Sequence, residues 1–295
     1  MLKINKDKLV MISIQGKVSN PVRRTDYTIT YDGQPIVVPG VGGITYNIKV
    51  GDKAFGWEAD HVEPGVSTVL NEEKRYDPQN NAYNILACVG NQARVVSGEA
   101  KGELGVVTGH HGGIEHVLID FDQETIEKLC IEDKILIKAY GQGLKLLDYP
   151  EIKVYNLDPS LLEKMKIKEI GNSSIEVPVT CEIPAKLMGS GLGSASVASG
   201  DYDITTADKK MVEKYKLDQL KFGDIVAITD ADNRFGRSYK EGAVSIGIIV
   251  HSDCVIAGHG PGVTTLLTSP IGNIKFNIDP DANIANYLNI GIERK

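Results

Sequence analysis

The sequence predicts a mainly β protein, built from barrel- or sandwich-like units with a few short helices. Three observations predict it. Short apolar or alternating segments recur along the whole chain, and 31 glycines punctuate them at short intervals. The helical signals are brief and do not alternate regularly with strands, which argues against a doubly wound parallel sheet.

The strand-like segments, in order, are 9–14, 27–31, 44–48, 93–96, 105–108, 116–121, 134–139 and 152–156, then 174–182, 224–229, 243–250 and 275–278. Asp32-Gly33, between 27–31 and 35–38, is a hairpin signal, because a tight primed turn needs positive φ. Helices are expected at 81–89, with Ala82, Ile85, Leu86 and Val89 on one face, and at 123–129, capped by Asp122. Asp158-Pro159 starts a third over 159–165, and Thr206 caps a fourth over 207–215. The segments 131–137 and 222–228 echo each other as a turn feeding an apolar strand. We expect an N-terminal β-rich domain over 1–150 and a C-terminal one over 151–295, with the boundary near 150–171. One interwoven unit is the alternative.

At 295 residues, 42% hydrophobic and 24% charged, the chain can bury a substantial core. Its 32 basic and 39 acidic residues give a net charge of −7, which argues against a nucleic-acid partner, since tracking phosphates needs a basic face. No segment approaches the roughly 20 apolar residues of a membrane span, and the polar start Met1-Leu2-Lys3-Ile4-Asn5-Lys6 lacks a signal-peptide core. Cys88, Cys130, Cys181 and Cys254 are dispersed without a CxxC pair, so reduced thiols and a cytoplasmic location are expected.

Three of the six histidines lie in Gly109-His110-His111-Gly112-Gly113-Ile114-Glu115-His116. Imidazoles and carboxylates bind divalent ions and move protons near neutral pH. The spacing is not that of an HExxH helix, whose two histidines share one helical face. If 116–121 is a strand, His116 and Asp120 share a face. A second group, Asp60-His61-Val62-Glu63, offers a histidine with carboxylates to ligate an ion or orient the imidazole. His110, His111, His116 and His61 are thus the candidate metal ligands for zinc, manganese or iron. Glu115 and Asp60 are the candidate catalytic carboxylates.

Gly258-His259-Gly260-Pro261-Gly262-Val263-Thr264-Thr265 reads as a loop whose backbone N–H groups accept an anion. It lacks P-loop spacing. His259, Gly260, Gly262 and Thr264, with Ser190, are the candidate substrate-binding residues. Around 188–196 the glycines only approximate a dinucleotide fingerprint, without the strand and crossover helix it needs. Ser190 or Ser194 as nucleophile would require a histidine base. In Gly200-Asp201-Tyr202-Asp203 the two carboxylates point the same way on an extended segment, as a pair that binds a cation or shares a proton. The run Asp230-Ala231-Asp232-Asn233-Arg234 fails the calcium-loop pattern and is read as a charged hairpin. His251, after an apolar strand, is read as a rim or core residue.

Together, Pro39-Gly40-Val41-Gly42-Gly43-Ile44-Thr45-Tyr46-Asn47, Gly56-Trp57 through Asp60-His61, and Gly109 through His116 resemble an uncharacterised bacterial and archaeal family, domain of unknown function 4438. Gly141-Gln142-Gly143-Leu144, Met188-Gly189-Ser190-Gly191, Gly200-Asp201-Tyr202-Asp203 and His259-Gly260-Pro261-Gly262 extend the resemblance over nearly the whole chain. It implies a β-rich fold with N- and C-terminal parts and no established activity. A shorter likeness, in Gly200-Asp201-Tyr202-Asp203-Ile204 followed by 220–228, is to acetamidase/formamidase enzymes, metal-dependent amide hydrolases.

Three functions follow from these residues. The first is a metal-assisted hydrolase of a small polar or anionic molecule, cleaving an amide-type C–N bond. The second is a non-catalytic small-molecule or anion-binding protein. The third is a homo-oligomer whose Gly/His loops pack at subunit interfaces.

Overall fold

The computed structural model describes residues 2–23, 25–74, 77–192 and 196–295, without the Leu192 side chain. Ser194 lies outside the described residues. The fold is mainly β. Six strands form a closed antiparallel barrel: β1 (Ile12–Val18), β2 (Gly65–Val69), β3 (Gln92–Val95), β4 (Leu104–His111), β5 (His116–Asp120) and β6 (Lys134–Ala139). The order β1-β6-β3-β4-β5-β2 returns to β1 through Lys17↔Val69 and Val18↔Thr68, so the barrel has no open edge. Alternation fills its interior. In β6, Ile135, Ile137 and Ala139 are buried while Lys134 and Lys138 face out. Val66, Val95, Val107, Val117 and Ile119 meet Ile135 and Ile137 in one cluster. Truncating Ile137 to Ala would cost about 2–5 kcal/mol by lost burial and a residual cavity.

A second, half-barrel sheet follows: β7 (Cys181–Pro184), β8 (Met188–Leu192), β9 (Tyr202–Ile204), β10 (Ile225–Asp232), β11 (Ser238–His251) and β12 (Gly262–Ser269). Its order is β7-β10-β11-β12-β9-β8, antiparallel except for the parallel β7–β10 pair. The barrel docks on it through β4. A Cβ added at Gly109 would meet Val250 Cγ1 at 2.2 Å, so glycine permits the close approach. Thr264 Oγ1 donates to His110 O at 3.1 Å across the same contact.

Several expected elements change. The stretch 174–182 divides into Ile175–Val179 and β7, which belong to different sheets. The first strand starts at Ile12 rather than residue 9. The Asp32-Gly33 hairpin forms between Thr28–Ile29 and Pro35–Ile36. Asp122 and Asp158 cap their helices as expected, accepting from Thr125 N and Ser160 N. The helix Lys209–Tyr215 is capped by Asp208, not Thr206, because the Asp208 carboxylate reaches Lys210 N and Met211 N. The four cysteines are free thiols. Among the described residues no helix is long and apolar enough to cross a membrane.

Candidate metal centre

The fold gathers five histidines and four carboxylates from separate parts of the chain. β4 and β5 form a tight hairpin with His111 opposite His116. Its turn reaches the second sheet, where Gly112 N donates to Asp201 Oδ1 at 2.7 Å. There, Asp203 on β9 and His251 on β11 both pair with Gly262 on β12. A Cβ at Gly262 would stand 2.0 Å from Asp201 Oδ2 and 2.2 Å from His251 Nε2, so only glycine lets the strands close here. The loop before β2 brings His61, held by reciprocal bonds between Val62 and Ser252. His61 has φ 55°, the left-handed region that non-glycine residues rarely occupy.

Each imidazole of the inner group is anchored from behind. His61 Nδ1 lies 3.0 Å from Asp60 Oδ1, His111 Nδ1 2.6 Å from Glu63 Oε1, and His251 Nδ1 2.9 Å from Ser252 O. An Nδ1–H donated to these acceptors leaves Nε2 with its lone pair. That is the tautomer a metal-binding histidine uses. His116 Nδ1 stands behind, 3.1 Å from both Glu63 oxygens. The Glu63 carboxylate also accepts from Gly42 N and Ser67 Oγ.

The inward-facing atoms converge. His251 Nε2 lies 2.8 Å from Asp201 Oδ2 and 3.5 Å from Asp203 Oδ1. Asp203 Oδ2 lies 2.9 Å from His259 Nδ1 and 3.5 Å from His61 Nε2, and those two nitrogens are 3.1 Å apart. Despite these distances, His251 Nε2, Asp201 Oδ2 and Asp203 Oδ2 are buried without an aligned hydrogen-bond partner. Native proteins seldom leave such atoms orphaned, and an ion is one of the recognised explanations. Two groups of donors, His61–Cys254–His259 and His111–Asp201–His251, each lie within 4.8 Å of one another. The histidine–carboxylate mixture suits zinc, manganese or iron.

Charge points the same way. Asp60, Glu63, Asp201 and Asp203 are ion-paired only to histidines among the described residues. Burial opposes charge on His251, yet Asp201 and Asp203 raise its pKa well above the ordinary 6.5. His61 is likewise raised against its burial, by Asp203 and Asp60. Burial works against ionised Asp203, but His251, His259 and His61 hold its carboxyl well below the usual range. Glu63, also against its burial, is held low by His116 and His111. Burial and the neighbouring His251 charge lower His111. The same field that draws protons onto His61 and His251 favours a divalent cation.

The outer part of the group forms the floor of a cavity of about 740 Å³, within the range of small-molecule sites. Asp60, His61, His111, Asp201, Asp203 and His259 line it on one side. Val22, Tyr27, Ile29, Val41, Ile114 and Ile256 give it apolar walls.

The residues singled out in the sequence are divided by this geometry. His61, His111 and His259 face the centre, with Asp60 and His116 one layer behind. His110 takes the alternate face of β4, where Nε2 donates to Ala87 O at 2.8 Å and burial lowers its pKa to about 4. Glu115 occupies the hairpin turn, buried, with φ 64°. The expected anion loop is corrected at its second half. Gly262 and Thr264 belong to buried β12, and the Thr264 hydroxyl bonds the backbone of His110. Gly260 packs so tightly that a Cβ would meet Ile204 O at 1.8 Å. Ser190 is exposed on β8, and Gly191 rather than Ser190 lines the cavity. Asp120, expected on the His116 face, pairs with Arg294. His251, read as rim or core, is fully buried at the centre. Asp201 and Asp203 do point the same way, as their alternation indicates.

Family models describe both halves of the chain: domain of unknown function (DUF4438), N-terminal, over residues 27–163, and its C-terminal counterpart over 164–288. The chain belongs to the DUF4438 family. A solved structure titled "Crystal structure of TM1086" is 50% identical to this DUF4438 protein, covers 97% of it and 99% of its own chain, and superposes with a TM-score of 0.91. No curated protein matches, so the acetamidase/formamidase likeness gains no support.

Proposed function

We propose that this DUF4438 protein is a metal-dependent hydrolase that cleaves an amide-type C–N bond in a small molecule. The observation that carries the reading is the convergence of buried, orphaned donor atoms at and beneath the floor of the cavity. A divalent ion held by donors such as His61, His259, His111, His251 and Asp201 would supply Lewis acidity toward a carbonyl oxygen and lower the pKa of water toward neutrality. Water adds to the carbonyl carbon, the C–N bond breaks, and the amine departs with a proton drawn from that water. Asp60 and Glu63 orient imidazoles, a positioning role, since each meets its histidine at Nδ1.

The cavity narrows the substrate. Its apolar walls suit a hydrophobic body, and Arg23 is the one arginine or lysine among its described lining residues. The Arg23 guanidinium donates to the carbonyls of Thr25, Val38 and Asp26, so it braces its own loop. An anionic group would therefore have to bind the ion itself. Of the polar or anionic molecules expected from the sequence, a neutral polar amide fits better than an anionic one.

The test is a panel of small neutral amides, lactams and esters incubated with zinc-, manganese- or iron-loaded protein. Amine or acid release that disappears in His251→Ala supports hydrolysis. Thermal stabilisation by panel members without any release would instead favour the binding-protein reading.

A further inference from the structure

We infer that the centre holds two divalent ions, with the Asp203 carboxylate bridging them. This rests on the metal reading above and goes beyond it in ion number and ligand set. The two Asp203 oxygens face different partners. Oδ2 lies 2.9 Å from His259 Nδ1 and 3.5 Å from His61 Nε2, whereas Oδ1 lies 3.5 Å from His251 Nε2. His251 Nε2 in turn meets Asp201 Oδ2 at 2.8 Å. Donor atoms bound to one ion at roughly 2.0–2.2 Å stand about 2.8–3.6 Å apart, and both triads have such edges.

Donor supply and charge both exceed what one ion takes. His61, His259, Cys254, His111, His251, Asp201 and Asp203 contribute to two groups joined by Asp203, whereas a zinc ion usually takes four ligands. One divalent ion would balance half the charge of Asp60, Glu63, Asp201 and Asp203, and two would balance it all. A carboxylate bridge is compatible with the separation of roughly 3.5–4 Å found in two-metal hydrolytic sites. The two positions differ in access. His259 is 32% exposed on its side chain and opens the first to the cavity. His251 is fully buried and anchors the second beneath it. The outer ion is thus the one that meets substrate.

Equilibrium dialysis of the chelator-stripped full chain against saturating Zn²⁺, followed by elemental analysis, tests this. We expect two ions per chain in the wild type and one in each of His259→Ala and His251→Ala, with far-UV circular dichroism verifying the fold. The wild-type count decides even where a variant fails to fold. One ion per chain, lost in either variant, overturns the pair and leaves the single-ion reading standing. No bound ion overturns both. Two ions that persist in folded forms of both variants lie elsewhere and also overturn the assignment.

Discussion

His251 Nε2, buried beneath the cavity, and Asp201 Oδ2 stand 2.8 Å apart, yet neither has an aligned hydrogen-bond partner. Two buried polar atoms this close normally share a proton along their lone-pair directions. Here both also lie within 2.2 Å of where a Cβ on Gly262 would stand. The backbone of β12 has been kept bare at the point where these donors meet.

Gly262→Ala should therefore weaken metal binding at the His251–Asp201 position. The added methyl falls on Asp201 and His251 themselves, so the donors must separate or the strands must part. We expect at least a tenfold loss of zinc affinity by chelator competition. Wild-type affinity in a folded Gly262→Ala protein would show that the close packing is irrelevant to the centre.

Glu63→Gln should weaken the ion without removing a direct ligand. Glu63 lies between His111 and His116 and fixes the His111 ring through Nδ1. Replacing carboxylates that orient metal-binding histidines commonly costs 10–100-fold in affinity. The same competition assay reads this, and an unchanged affinity would remove Glu63 from the account.

His110 and His111 are neighbours in sequence but should behave as opposites. His111→Ala is expected to reduce metal content. His110→Gln should leave it at the wild-type level, because the His110 ring is engaged by Ala87 O on the other face of β4. Equal losses in two folded variants would contradict this division.

The contrast also shows what the sequence can and cannot disclose. Alternation along a strand was readable, so the barrel staves 116–120 and 134–139 and the shared direction of Asp201 and Asp203 could be inferred locally. Which face of β4 meets the second sheet was not readable, because that depends on Gly109 admitting Val250. His251 looked like the end of an apolar strand, and only the register His251↔Gly262 and Asp203↔Gly262 makes it a neighbour of Asp203. Gly262 and Thr264 mimicked a ligand loop because glycine marks both open turns and close strand contacts. Long-range register, rather than local pattern, assembles the centre.

Stability should carry a separate acid signature from Asp224. Burial pushes its carboxyl from the ordinary 3.8 up to about 6, against the bonds from Asn283 and Lys221 N that favour the ionised form. Between these values the folded chain holds a proton that the unfolded chain releases. Stability from this group is therefore greatest below about pH 4 and falls as pH rises toward 6, by roughly 3 kcal/mol in all. Urea unfolding at pH 4 and pH 7 should show a smaller pH-dependent change for Asp224→Asn than for the wild type. Equal changes would mean that Asp224 titrates normally.

The central claim is that the donors around His251 and Asp201 hold a divalent ion. Anomalous diffraction at the zinc edge, from crystals grown with Zn²⁺, tests it most directly. The account predicts a peak within about 2.0–2.2 Å of both His251 Nε2 and Asp201 Oδ2. A well-ordered centre without a peak at saturating Zn²⁺, its donors bonded to one another or to water, would contradict it.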